Sequence, residues 1–435
     1  MNACIGVRRE DKSRWERRVP VTPEDARMLK EEYGIDVWVQ PSPIRVFPEE
    51  EFEEAGARVQ EDISSCPVVF AVKEIPEDFF EPGRVYVFFS HTIKGQPDNM
   101  PMLQRMLDLG CTLIDYEKVT DENGRRLIFF GRHAGLAGMV ETLWALGRRL
   151  DWEGVPNPFT QLRHTYEYDD LDHVKEAVSR VGDRIRAEGL PESVTPLICG
   201  IAGYGNVARG TWEILDCLPI EEIEPQQVAS VAEGSDYNAN AVYKVVFKEE
   251  HTVEPISPDG HFELQDFYDH PEKYRGKFES YVPYLTVVVN CIYWEAKYPR
   301  LVTKEYLKQL YGAGQPRLRV IGDISCDFEG AIECTVRYTE ADNPVFVYNP
   351  LTGETIDGFK GKGPVVMAVD ILPSELPREA SVDFSEVLGA FVPAIARADY
   401  SVPFEQLDLP PEIKRAVIAY QGEFTPDYGY IEEFL

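Results

Sequence analysis

Gly203, Gly205 and Ala208 fit the spacing G-x-G-x-x-G/A. The apolar run 195–199 precedes them, and Trp212, Ile214 and Leu215 follow on a proline-free segment. That order reads as strand, tight turn, helix. In such a turn Gly203 allows the bend, Gly205 lets a pyrophosphate approach the backbone, and Ala208 lets helix and strand pack closely. The helix N-terminus then offers unpaired N–H groups to the phosphates. A glycine-rich turn with no ligand is the plainer reading, and the pattern alone leaves it open. Glu224 stands about 20 residues on, where an acid would bind a ribose hydroxyl. Elsewhere Lys73, His91, Glu117 and Asp323 each follow an apolar run. That places them at the carboxyl ends of predicted strands, where open α/β sheets gather ligands. Taken singly they read as a solvated lysine, a structural histidine, a surface acid and a helix cap. Taken together, beside a dinucleotide turn, they suit proton transfer.

The elements that must position these residues alternate. Strands are expected at 4–7, 35–39, 68–72, 85–89, 111–114, 127–130, 220–224, 284–292, 318–324, 345–348 and 365–369. Helices are expected at 22–33, 47–56, 102–109, 134–150, 171–185, 303–311, 384–392 and 411–420. Thr22, followed by Pro23, Glu24 and Asp25, is a good helix start. The helix at 134–150 has small residues early, Gly135, Ala137 and Gly138, so it can pack closely on a neighbour. The segment 8–18 is densely charged and reads as a loop, and 232–281 is polar and irregular. The alternation predicts an α/β fold with mainly parallel sheets.

A chain of 435 residues exceeds one ordinary core. The formal net charge is −31, which argues against nucleic acid and anionic membranes as partners. No apolar run reaches the length of a membrane span, and the N-terminus has no signal-peptide pattern. The eight cysteines form no C-x-x-C pair and suit a reducing cytoplasm. The seven histidines lack metal-site spacing, so no metal is expected.

A family resemblance rests on several stretches. They are Ile5-Gly-Val-Arg-Arg-Glu-Asp11, Trp15-Glu-Arg-Arg-Val-Pro-Val-Thr-Pro23, Ala71-Val-Lys73 and Phe88-Phe-Ser-His-Thr-Ile-Lys-Gly-Gln96. Further matches are Leu113-Ile-Asp-Tyr-Glu-Lys118, Gly203-Tyr-Gly-Asn-Val207, Cys291-Ile-Tyr-Trp-Glu295, Gly322-Asp-Ile-Ser325 and Asp370-Ile-Leu-Pro-Ser-Glu-Leu-Pro377. The chain resembles lysine-ketoglutarate reductase, the saccharopine-forming half of α-aminoadipic semialdehyde synthase. More loosely it is similar to fungal lysine-forming saccharopine dehydrogenase and to alanine dehydrogenase. The glutamate-forming half is expected to be absent.

The resemblance implies two Rossmann-like domains with an active-site cleft between them. It places the substrate domain at 1–145 with 375–435, and the dinucleotide domain at 146–374. It implies the reversible condensation of L-lysine with 2-oxoglutarate, reduced by NADP(H) or NAD(H) to saccharopine. Lys73 and His91 would be the acid–base pair, Lys73 with its pKa lowered by burial or neighbouring cations. Arg18 would hold a substrate carboxylate, with Lys94 and Glu117 beside it and Glu117 tuning Lys73 or His91. Gly203, Gly205, Asn206, Val207, Glu224, Ile292, Tyr293 and Asp323 would meet the cofactor. Glu224 favours NAD, because a carboxylate repels a 2′-phosphate, whereas the similar enzymes use NADP. An alanine dehydrogenase-like deaminase, or another opine-forming dehydrogenase, stays open at this point. So does a nucleotide-binding regulatory protein without catalysis. An oligomer is compatible with all of these.

Overall fold

Short runs rich in Val, Ile and Phe form the central strands of both main sheets, and their side chains are almost wholly buried on both faces. Each such side chain contributes about 1.5–3 kcal/mol when removed from water. The structure, a computed structural model, describes residues 3–435; Met1 and Asn2, at the start of the first expected domain, lie outside the described residues. The chain divides into two units, Met1–Phe130 with Pro377–Leu435, and Gly131–Leu376.

The first unit is built on β1 (Cys4–Val7), β2 (Asp36–Val39), β3 (Arg58–Val59), β4 (Val68–Phe70), β5 (Val85–Phe88) and β6 (Thr112–Asp115). Helices α1 (Pro23–Tyr33), α2 (Glu49–Glu54) and α3 (Met100–Asp108) lie between them in the chain. The six strands pair in parallel, in the order β6-β5-β4-β1-β2-β3. Thr22 caps α1 by accepting from the Asp25 N–H, and Gly34 ends it at φ 63°.

The second unit carries α4 (Gly131–Trp152), α5 (Leu171–Glu188) and α6 (Asn206–Leu215). Its strands are β7 (Leu197–Ala202), β8 (Ile220–Glu222), β9 (Val242–Phe247), a hairpin of β10 (Val253–Pro255) and β11 (Tyr274–Gly276), β12 (Val287–Asn290), β13 (Val320–Asp323), β14 (Val345–Tyr348), β15 (Thr355–Asp357) and β16 (Val365–Met367). Its main sheet runs β15-β14-β16-β13-β12-β7-β9-β8. The pairs from β8 to β16 are parallel, and β14 and β15 add an antiparallel edge.

Four expectations are corrected. The stretch 127–130 is not a strand. Phe130 instead stacks on Phe384, at 4.8 Å between centroids, and takes the Arg18 guanidinium on its face. The stretch 411–420 is one turn, Pro411–Lys414, followed by β17 (Val417–Tyr420), which pairs antiparallel with β6 and is extended by β18 (Glu423–Phe424). Its Val-Ile-Ala-Tyr run suits a pleated sheet and completes one. The region 232–281 is not irregular throughout, since β9 lies in the main sheet of the second unit between β7 and the edge strand β8. The expected division at 145/146 would cut α4, whose contacts lie with the second unit. There α4 crosses α6 so closely that a Cβ on Gly135 would meet the Val207 carbonyl oxygen at 1.9 Å. A Cβ on Gly210 would meet that of Arg132 at 2.0 Å.

Candidate functional site

In the first unit a group of charged side chains gathers beyond the carboxyl ends of β1, β4 and β5. Most of it comes from the segment 8–18, where Arg8, Glu10, Glu16 and Arg18 are buried despite their charge. Buried charge needs partners, and the structure pairs Arg8 with Asp11 and Arg18 with Glu16, while Glu10 takes backbone N–H groups. Arg18 donates from Nε and Nη2 to the two carboxylate oxygens of Glu16, at 2.7 and 2.5 Å. Its guanidinium lies 4.1 Å from the centre of the Phe130 ring. The Nε–Nη2 edge is therefore spent on Glu16, and the Nη1 side is the one left for a substrate. Ser381 and Ser385, from the C-terminal segment, accept from the N–H groups of Val19 and Thr22 and so set the path of the chain around Arg18.

Lys73 follows β4. Its own N–H and that of Val72 donate to Glu10, at 3.0 and 2.7 Å. Burial and then the nearby Arg18 guanidinium lower the Lys73 ammonium below its usual range. Among the described residues it forms no ion pair. Burial raises Glu10 itself to about 7.

His91 follows β5 in the left-handed region, at φ 49°, a conformation that non-glycine residues adopt rarely and that clusters at functional sites. Its Nδ1 meets Glu74 Oε1 at 2.7 Å. With Glu74 ionised, Nδ1–H is the donor and Nε2 is left for proton exchange. Burial works to raise Glu74, but His91 and Lys12 hold it down at about 2. The turn carrying His91 is anchored from below. Asp115, fully buried at the end of β6, accepts from the Ser90 N–H at 3.1 Å and from the Ser90 hydroxyl. Asn99 donates to the His91 carbonyl at 3.1 Å.

The structure thus brings Arg18, Lys73 and His91 into one neighbourhood. It gives Glu117 another partner, Arg126 at 3.6 Å, and the carboxylate on His91 is Glu74. Lys94 is exposed on the loop after His91, its N–H donating to the Gln96 side chain at 3.1 Å. Sequence reasoning passed over Glu10, Glu16, Glu74 and Asp115. The available signals were the position of Glu74 directly after Lys73, and a charged run between a buried strand and a capped helix.

In the second unit β7 ends at the glycine turn. Gly203 has φ 105°, and a Cβ there would touch the Cys291 carbonyl oxygen at 3.0 Å, so only glycine fits. A Cβ on Gly205 would meet nothing within 4 Å, which leaves that backbone open to a phosphate. Asn206 and Val207 begin α6, and no side chain caps its first N–H groups. A cavity of about 450 Å³ adjoins the turn and is lined by Gly203, Gly205, Ile292 and Tyr293 among the expected residues. Lys248, Glu249 and Tyr268 also line it. Open glycine backbone, a free helix N-terminus and an adjoining cavity all fit a dinucleotide pyrophosphate.

Two expected cofactor residues lie elsewhere. Glu224 follows β8, the edge strand, and its N–H donates to the Gln227 side chain at 2.9 Å across the turn Pro225–Gln227. The strand beside β7 is β9, and Lys248 and Glu249 follow it directly. The Gly203 N–H donates to the Phe247 carbonyl, just before Lys248, at 2.9 Å. Glu249 accepts from the Tyr268 hydroxyl at 2.8 Å. Asp323 is buried and accepts from Asn290, Thr335 and the Cys326 N–H. Burial raises it to about 6, and it braces β12 against β13 from within.

Residues 6–137 match the family model described as alanine dehydrogenase/PNT, N-terminal domain. The chain is similar to α-aminoadipic semialdehyde synthase of Arabidopsis thaliana, 38% identical over 445 residues, covering 99% of this chain and 41% of that protein. It spans less than half the length of that relative. It is also similar to saccharopine dehydrogenase (NAD(+), L-lysine-forming) of Emericella nidulans, 28% identical, covering 86% of this chain and 87% of that one. Among solved structures it shares its fold with an L-alanine dehydrogenase, with TM-score 0.62 and 16% identity, covering 99% of this chain and 100% of that one.

Proposed function

Because this chain belongs to the alanine dehydrogenase and saccharopine dehydrogenase superfamily, we propose that it condenses the ε-amine of L-lysine with 2-oxoglutarate and reduces the resulting imine to saccharopine, reversibly. The observation that carries this reading is the Lys73 ammonium, lowered by burial and free of an ion pair, near Arg18 and the His91–Glu74 couple. Condensation of an amine with a ketone needs the amine deprotonated, the carbinolamine hydroxyl protonated and water expelled. A lysine held below its usual range by burial, and a histidine whose Nδ1 lies on Glu74 while Nε2 stays open, are groups that can exchange those protons. The Nη1 side of Arg18, with Lys73, supplies positive charge to an oxo-dicarboxylate inside a chain of net charge −31. A nicotinamide dinucleotide at the Gly203 turn supplies the hydride.

NADPH is the proposed donor. A lysine, Lys248, stands at the end of the strand beside the glycine turn, where NAD enzymes carry an acid. Its exposed ammonium suits a 2′-phosphate, and the neighbouring carboxylate of Glu249 is engaged by Tyr268.

The test follows nicotinamide absorbance with lysine and 2-oxoglutarate, singly and together, with NADPH and NADH in parallel. Oxidation only when both substrates are present, and faster with NADPH, is expected. Turnover with pyruvate and ammonia in place of that pair would favour an alanine dehydrogenase and sink the substrate assignment. Lys248→Ala should weaken NADPH use about tenfold and leave NADH use unchanged. Equal effects on both cofactors would remove Lys248 from phosphate recognition.

A further inference from the structure

A second cavity in the dinucleotide-binding unit, of about 650 Å³, lies at the opposite end of its sheet from the glycine turn. Leu318 and Arg319, just ahead of β13, and Gly361–Gly363, just ahead of β16, form part of its wall. Its volume falls in the range of small-molecule sites.

The charge inside it is unusual for this chain. Glu153 bridges two guanidiniums, accepting from Arg149 Nε at 2.7 Å and from Arg319 Nε at 2.9 Å. Arg149 Nη1 donates to the Phe359 carbonyl, and Arg319 Nη1 to those of Pro316 and Arg317. Both side chains are thereby fastened through Nε and Nη1. Among the described residues, neither Nη2 group has a bonded acceptor. Arg149 is 7% exposed, so its free amino group is largely withdrawn from bulk water. Lys362, exposed on the glycine loop, adds a third positive charge. One carboxylate against three cations leaves an excess of positive charge in a protein of net charge −31. The rest of the wall holds the apolar and aromatic side chains of Trp152, Tyr311 and Leu351 beside the polar Ser193, Gln315 and Asn349. Trp152, whose ring carries the Arg149 guanidinium at 4.9 Å, and Leu351 are 44% and 53% exposed, an apolar surface beside fixed cations.

We propose that this cavity binds an organic carboxylate with an apolar or aromatic body, its carboxylate on Arg149 and Arg319 and its body on Trp152 and Leu351. Two pre-positioned guanidiniums match a planar carboxylate, and their own bonds have already met the entropy of ordering them. The site shares no residue with the glycine turn or the Lys73 group, so it stands whether or not the proposed reaction is correct.

Calorimetric titration of the full chain tests it, with 4-phenylbutyrate as probe, 4-phenylbutyramide as its uncharged counterpart and inorganic phosphate as an anion without a body. The carboxylate should saturate a single site, with the amide and phosphate at least about tenfold weaker. Arg319→Met should weaken 4-phenylbutyrate about tenfold, and Lys362→Met about threefold, with NADPH binding unchanged in both. Lys362 is exposed, so its variant keeps the test independent of any effect of Arg319 on folding. No saturable heat up to about 10 mM, equal binding of acid and amide, or affinity unchanged in Lys362→Met with Arg319→Met folded and unaffected would each overturn the assignment. Binding of phosphate as tight as the carboxylate would overturn the apolar part of the ligand class.

Discussion

Glu74 decides which nitrogen of His91 carries a proton, and Glu10 decides where the Lys73 backbone lies. The two carboxylates act in opposite electrostatic settings. Glu74 is held at about 2 by His91 and Lys12, against the effect of burial. Replacing it, Glu74→Gln, removes the charge but keeps the shape, and kcat should fall about 10- to 100-fold with dinucleotide affinity unchanged. Steady-state kinetics beside dinucleotide titration check this; equal losses in both would mean a folding defect instead. Glu10, raised to about 7 by burial, titrates the other way. Its folded value lies above its unfolded one, so the stability tied to its neutral form is present at low pH and lost as pH rises from about 4.5 to 7. The loss is of order 3 kcal/mol at most. Glu10→Gln should therefore gain on the parent protein between pH 5 and pH 8, measured as the urea midpoint of each. Parallel midpoints across that window would mean that Glu10 ionises freely.

The crossing of α4 and α6 shows how backbone spacing positions chemistry. Small residues at Gly135 and Gly210 let the helices touch backbone to backbone, and α6 opens at the glycine turn with no side chain capping its first N–H groups. A methyl group at Gly210 would sit 2.0 Å from the Arg132 carbonyl oxygen, so Gly210→Ala must push the helices apart. It should cost about 1–3 kcal/mol and weaken dinucleotide binding, read as thermal midpoint and titration. Gly429→Ala, with open space around it, is the matched control and should be near neutral. At the other sheet, β17 covers the flank of β6 and Phe384 covers Phe130. A chain ending at Leu376 should lose both, leave a bare strand edge and be recovered as aggregate.

Charge acts over longer distances than any of these contacts. With 75 acidic and 44 basic side chains, the proposed function has the protein repel a dicarboxylate at range and attract it only close to Arg18 and Lys73. Salt screens the first effect more than the second, because the buried cations lie close to the ligand. Raising ionic strength from about 10 to about 150 mM should therefore raise kcat/KM for 2-oxoglutarate severalfold, at fixed amine and dinucleotide. A fall with salt would show that local attraction already dominates on approach.

Local order alone settled the alternation of strands and helices, the capped start of α1 at Thr22 and the glycine turn at Gly203. Each depends on residues a few positions apart, through backbone sterics and the period of apolar side chains. Lys73 and His91 were legible for the same reason as polar residues ending apolar runs, and the acid–base role expected of them came from the family resemblance. What depended on long-range packing was hidden. Glu224 has the right distance along the chain for a ribose acid, but β8 goes to the sheet edge and β9 takes the place beside β7, so Lys248 and Glu249 stand there. Glu117 lost His91 to Glu74 in the same way, since pairing is set by which loops meet. Val417–Tyr420 became a strand only because β6 offered it a partner. Sequence separation carries no record of strand order, and strand order determines which charges share a pocket.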